Sequence, residues 1–114
     1  LPVLDVVQLG LGADGHTASL VPGDAVLGVQ DRVVAATAAP YQGTRRMTMT
    51  YPLLDRARRV LWLVTGEEKA AALAQLVAGD RAIPAGRVAP ARAVVFADRA
   101  AAAQLPADRQ GWRG

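Results

Sequence analysis

Two short stretches of this sequence combine residue types that can do chemistry. The first, Gly10-Leu11-Gly12-Ala13-Asp14-Gly15-His16-Thr17, holds the only histidine of the chain, two residues after an aspartate. Histidine suits proton transfer near neutral pH. Asp14 at that spacing can fix the tautomer of His16 and hold it as a base. The glycines let the backbone approach a ligand closely. The start of a helix behind them offers N–H donors to an anion or oxyanion. The same residues also fit a plain turn in which Asp14 caps the helix and His16 sits on the surface.

The second stretch, Thr65-Gly66-Glu67-Glu68-Lys69, holds the single lysine of a chain with 12 arginines. Glu67 and Glu68 suit the positive end of a helix; Lys69 is unfavourable there by ~0.3–1 kcal/mol. A lysine so placed makes sense where a phosphate binds, because it offers a compact point charge. Neutralisation by the neighbouring acids, or escape of the ammonium to solvent, stays open as an alternative. Arg46 is a third candidate, since its forked guanidinium suits carboxylate or phosphate. Arg45, Arg56, Arg58 and Arg59 read equally well as solvated charge. Gly10, Gly12 and Gly15 also satisfy the dinucleotide pattern G-x-G-x-x-G, but the context fails. Pro22 ends the helix after about a turn and a half, and Asp31 precedes the next strand instead of ending it.

The elements that must carry these turns follow from periodicity. Val3–Leu9 reads as a buried strand running into the glycine turn, with a short helix expected at His16–Leu20. Arg32–Ala36 is a second strand. Arg46–Tyr51 alternates, with Arg46, Thr48 and Thr50 on a polar face and Met47, Met49 and Tyr51 on the other. Pro52–Ala57 suggests a short helix, and Val60–Val64 a central apolar strand. Thr65–Ala78 reads as a helix, with capping-box spacing at Thr65 and Glu68 and a terminating Gly79. Ala93–Ala97 is a last strand, followed by a helix at Arg99–Leu105. Strands alternating with helices predict an α/β fold with a mostly parallel sheet. Ligands in such sheets sit at the carboxyl ends of the strands, which are the turns after Leu9 and Val64.

Composition narrows the classes. The 114 residues suffice for one domain. Absence of cysteine excludes disulfides, thiolate metal sites and a cysteine nucleophile, and one histidine excludes a multi-histidine metal cluster. No apolar run approaches the ~18 residues of a membrane span. The opening LPVLD has no basic signal-peptide region, which points to the cytoplasm. The net charge of +3 fits an anionic partner, although codon bias toward arginine explains it equally well. Nucleic acid is not expected, because the five aromatics fall mostly in apparent core strands and do not interleave with the arginines.

The run LGLGADGHTASLVPG (Leu9–Gly23) resembles the signature loop of the 6-phosphogluconolactonases. The resemblance continues through RMTMTYPLLDRARRVLWLVTGEEKAAAL, IPAGRVAP and VVFADRAAA, in family order and spacing. It implies a Rossmann-like, three-layer α/β fold of the sugar-phosphate isomerase type. It implies hydrolysis of 6-phosphoglucono-δ-lactone to 6-phosphogluconate in the oxidative pentose phosphate pathway, with no cofactor and no metal. His16 would be the general base and Asp14 its orienter. Backbone N–H groups near Gly12 and Gly15 would meet the oxyanion. Lys69 would bind the 6-phosphate, and Arg46 would assist at phosphate or hydroxyl. The related glucosamine-6-phosphate deaminases share the D-G-H turn but carry a catalytic Glu five residues after the His; here that residue is Val21. Nothing in the sequence matches the N-terminal phosphate loop of the family. Residues 1–105 are therefore expected to be the C-terminal part of one lactonase-like domain, with 106–114 a loose tail. That implies an incomplete sheet, an exposed edge, half a pocket and little or no turnover from this chain alone. A non-catalytic sugar-phosphate-binding remnant is the alternative from another class.

Overall fold

The computed structural model describes residues 2–89 and 92–106; the expected tail lies outside the described residues from position 107 onward. Strand β4 (Val60–Val64, VLWLV) is apolar throughout, as a central parallel strand must be. Strands β1 (Val7–Leu9) and β5 (Ala93–Ala97) pair with it in parallel, one on each side, giving the order β1-β4-β5. The turns after Leu9 and Val64 thereby emerge side by side at one end of the sheet. β1 is shorter than the expected Val3–Leu9, because Val3 and Val6 find no surface to cover and are 48% and 54% exposed.

One face of this sheet, with Val7, Leu9, Val60, Trp62 and Val64, packs into a core that also takes Leu73 and Leu54. Leu73 belongs to helix α2 (Ala70–Val77), which a 3-10 turn at Glu67–Lys69 precedes. The helix expected over Thr65–Ala78 is thus tighter at its start, and the Thr65/Glu68 capping box is not made. Gly66, at φ 101°, opens the turn instead, and its N–H donates to the Asp98 carboxylate at 3.2 Å. Gly79 ends α2 as expected, at φ 70° with its N–H on the Leu76 carbonyl. The opposite face of the sheet is bare. Leu63 and Phe96 are paired in register and are 52% and 55% exposed. The third layer of the expected fold is not formed by the described residues.

Strands β2 (Val34–Ala36) and β3 (Met47–Met49) form a separate antiparallel hairpin, so the parallel expectation holds only for the first sheet. The faces of β3 are inverted relative to the alternation: Thr48 is buried and Met47 is 74% exposed. Partners for the hydroxyl explain this, since Thr48 Oγ1 accepts from the Ser19 N–H and donates to the Met49 carbonyl. Tyr51 has left the strand and starts helix α1 (Tyr51–Arg56).

Two expected helices do not form. Residues 16–20 make a tight turn closed by the Leu20 N–H on the Thr17 carbonyl, with Ala18 at φ 50° and Pro22 following. Residues 99–105 make successive turns in which spans of three and four residues mix, so no regular ladder builds. Among the described residues no helix is long and apolar enough to cross a membrane.

Candidate functional site

The glycine turn after β1 is tied down on three sides. Thr17, fully buried, donates its hydroxyl to the Gly10 carbonyl at 2.8 Å. The Gly15 carbonyl accepts from the Ala85 N–H at 2.9 Å, and Ser19 is held by Thr48. Gly15, at φ 88°, lies so close to Ile83 that a side chain there would collide with it.

Within this frame Asp14 and His16 form a closed pair. One carboxylate oxygen accepts from the His16 backbone N–H at 3.0 Å and lies 2.6 Å from His16 Nδ1. A carboxylate only accepts, so the ring proton belongs on Nδ1 and the lone pair on Nε2. Tyr41 donates its hydroxyl to the other carboxylate oxygen at 2.7 Å and lies 3.3 Å from Nδ1. Burial alone raises the Asp14 carboxyl, but the hydrogen bonds from the His16 backbone, Tyr41 and the imidazole outweigh it and hold the group below the usual value.

Lys69 reaches the same place from the second turn, where its Nζ donates to the Leu11 carbonyl at 2.5 Å. Gly10, Leu11, Gly12, His16, Ala18 and Lys69 line one polar cleft of about 370 Å³. A larger hollow of about 440 Å³, walled by Trp62, Leu76, Val77 and Val95, is mainly apolar and brings no acid–base pair together. His16 and Lys69 both line the smaller cleft.

Gly12, Gly15 and Arg46 are engaged within the protein. The N–H groups of Gly12 and Gly15 are engaged, on the His16 and Gly12 carbonyls at 2.8 and 2.9 Å, so neither is free for an oxyanion. No helix starts behind the turn to supply others. Gly12 instead makes room for the imidazole, which occupies the space a Cβ would take. Gly15 packs against Ile83 and does not line the cleft. Arg46 is also absent from the cleft wall: its Nε donates to the Tyr41 carbonyl at 3.4 Å and its guanidinium stacks over the Tyr41 ring.

The sequence reading missed Tyr41. Gln42 (φ 51°) and Gly43 (φ 80°) between Tyr41 and Thr44 make a two-residue turn with both central residues left-handed. That is the hairpin-forming type, and an X-Gly pair between two extended segments is its signal.

The family model for glucosamine-6-phosphate isomerases/6-phosphogluconolactonase matches residues 1–97. The 6-phosphogluconolactonase of Nostoc is 42% identical over 91% of this chain and 44% of the relative. That of Rattus norvegicus is 39% identical over 92% of this chain and 42% of the relative. The solved 6-phosphogluconolactonase of Trypanosoma brucei superposes with a TM-score of 0.74 at 29% identity, over 93% of this chain and 44% of that one. The chain thus spans less than half the length of these relatives.

Proposed function

Since the chain belongs to the glucosamine-6-phosphate isomerase/6-phosphogluconolactonase family, we propose that residues 1–105 are the C-terminal part of a 6-phosphogluconolactonase domain and carry its acid–base pair. The observation that carries this reading is the cleft itself. It sets a base-competent imidazole, with its Nε2 unpartnered among the described residues, beside the only lysine of the chain. His16 Nε2 takes a proton from water as the water oxygen bonds to the lactone carbonyl carbon. The tetrahedral intermediate then collapses, the ring C–O bond breaks, and His16 returns the proton to the departing oxygen. Asp14 holds the tautomer and stabilises the imidazolium. Lys69 holds the 6-phosphate. Lactonases of the related species act as longer chains, and this one, with the sheet face at Leu63 and Phe96 open, is expected to turn over weakly or not at all by itself.

Deamination is disfavoured by Val21, buried and apolar at the position where the deaminases place their catalytic Glu.

The test follows acid release from fresh 6-phosphogluconolactone by pH-stat, with spontaneous hydrolysis subtracted, for the chain and for His16→Ala. A rate that vanishes in the variant supports the reading; a rate unchanged by the variant overturns it. Where the folded chain shows no rate, NMR titration with 6-phosphogluconate decides. Shifts at His16 support the sugar-phosphate cleft, and no binding at millimolar ligand overturns it.

A further inference from the structure

Tyr41 sits at the tip of the β2–β3 hairpin, 25 residues from His16 in the sequence, yet its hydroxyl reaches both members of the acid–base pair. The hairpin tip is held rigidly. The Tyr41 N–H and carbonyl both bond Thr44 across the turn, at 2.9 and 3.2 Å. The segment between β2 and the tip is anchored by Asp24, whose carboxylate accepts from the Ala38 and Ala39 N–H groups while also capping the 3-10 turn at Val26. Arg46 grips Tyr41 twice, through the Nε contact to its carbonyl and through a guanidinium 5.4 Å from the ring centroid. The ring also meets the imidazole, at a centroid distance of 5.2 Å and tilted by 60°.

We propose that Tyr41 is the positioning residue of the Asp14–His16 pair, and that Arg46 acts through Tyr41 as its buttress. The hydroxyl occupies the carboxylate oxygen that His16 Nδ1 does not use, so Asp14 cannot rotate away from the ring without losing a second hydrogen bond. The tilted aromatic ring limits the swing of the imidazole. His16 Nε2 then keeps its aim into the cleft. The groups facing Asp14 are His16 from its own turn and Tyr41 from the hairpin; Arg46 contacts the Tyr41 ring, and Lys69 lines the cleft with His16. The Tyr41 contact is one of the bonds that hold the Asp14 carboxyl below its usual value, so the proposal has a readout in titration as well as in rate.

This inference rests on the reading of His16 as a base, but its test does not need turnover. The single histidine gives unambiguous ring signals, and the Asp14 carboxyl carbon can be followed through its own titration. Tyr41→Phe removes only the hydroxyl; Arg46→Leu removes the buttress and leaves the hydroxyl. In Tyr41→Phe the Asp14 midpoint is expected to move up toward the ordinary 3.8, and the His16 ring signals to shift and broaden. Arg46→Leu is expected to weaken the nuclear Overhauser contact between the two rings. In any version of the chain that turns over, Tyr41→Phe should lower kcat about tenfold and leave KM unchanged. An unchanged Asp14 titration and unchanged His16 ring signals in a folded Tyr41→Phe overturn the proposal. Full NMR effects in a protein that neither hydrolyses the lactone nor binds 6-phosphogluconate uphold the positioning role and remove the lactonase reading instead.

Discussion

Lys69 and Leu11 meet across 58 residues of sequence, Nζ on carbonyl oxygen, and that contact joins the two turns into one cleft. Both partners hang from the carboxyl ends of adjacent parallel strands, β1 and β4, so the sheet register brings them together. Lys69 keeps two further N–H donors for a ligand. Lys69→Met should therefore weaken binding of 6-phosphogluconate by roughly 10- to 100-fold, the loss of one or two charge-assisted hydrogen bonds. Affinity for unphosphorylated gluconate should not change. Titrations read at the His16 ring signals check both arms, and equal losses for the two ligands would detach Lys69 from the phosphate.

Asp14 links the site to stability at low pH. Its carboxyl is held below the usual value in the fold, so its contribution is complete above 3.8, the unfolded value, and drains away as pH falls through the folded one. The group is 38% exposed, which keeps its contribution within about 1 kcal/mol. Asp14→Asn should then lower the urea midpoint modestly at pH 7. The gap between variant and parent should close as the pH drops well below 3.8. Denaturation curves across that range decide; a gap independent of pH would mean that the native carboxylate gains nothing from its partners.

Gly12 and Gly15 should respond differently to the same substitution. A methyl at Gly12 enters the space of the imidazole, without a left-handed backbone to strain. Gly12→Ala is expected to fold with little loss of stability and to displace His16, seen as shifted ring signals and loss of the Asp14 contact. Gly15→Ala places a methyl 2.5 Å from Ile83 Cβ at φ 88°, which should cost about 1–3 kcal/mol in chemical denaturation.

How much of this was legible depended on the range of the signal. Val60–Val64 and Ala93–Ala97 declared themselves because a buried parallel strand needs an unbroken apolar run, and both form with those bounds. His16, Asp14 and Lys69 stood out by rarity and by their place after such strands. The polar–apolar alternation of β3 misled, since hydroxyls such as Thr48 and Thr50 can be buried once partners exist, and those partners, Ser19 and Arg32, come from distant segments. The helix at residues 16–20 failed for a local reason, because Ala18 adopts a left-handed backbone that composition does not reveal. Tyr41 was hidden by its surroundings of Ala, Pro and Gly, and its role depends on a hairpin that folds back over the first turn.

Tyr51 provides a second pH handle, remote from the cleft. It starts α1, is 6% exposed, and donates its hydroxyl to the Pro84 carbonyl at 2.6 Å, tying the helix to the 3-10 turn at Pro84–Arg87. That same turn holds Gly15 through Ala85, so the bond indirectly supports the first turn of the site. Burial pushes the phenol up to about 12, because the partly desolvated site disfavours the phenolate. The unfolded phenol titrates at 10, so stability is intact below pH 10 and is lost progressively as pH rises toward 12. Tyr51→Phe removes the hydrogen bond, at a cost of about 1 kcal/mol near neutrality. It should also flatten the alkaline fall, since no phenolate can then form at that site. Urea unfolding at pH 7, 9 and 11 separates the two effects. An alkaline fall equally steep in both proteins would place the sensitive group elsewhere, with the other tyrosine, Tyr41, raised chiefly by its bond to Asp14, as the next residue to replace.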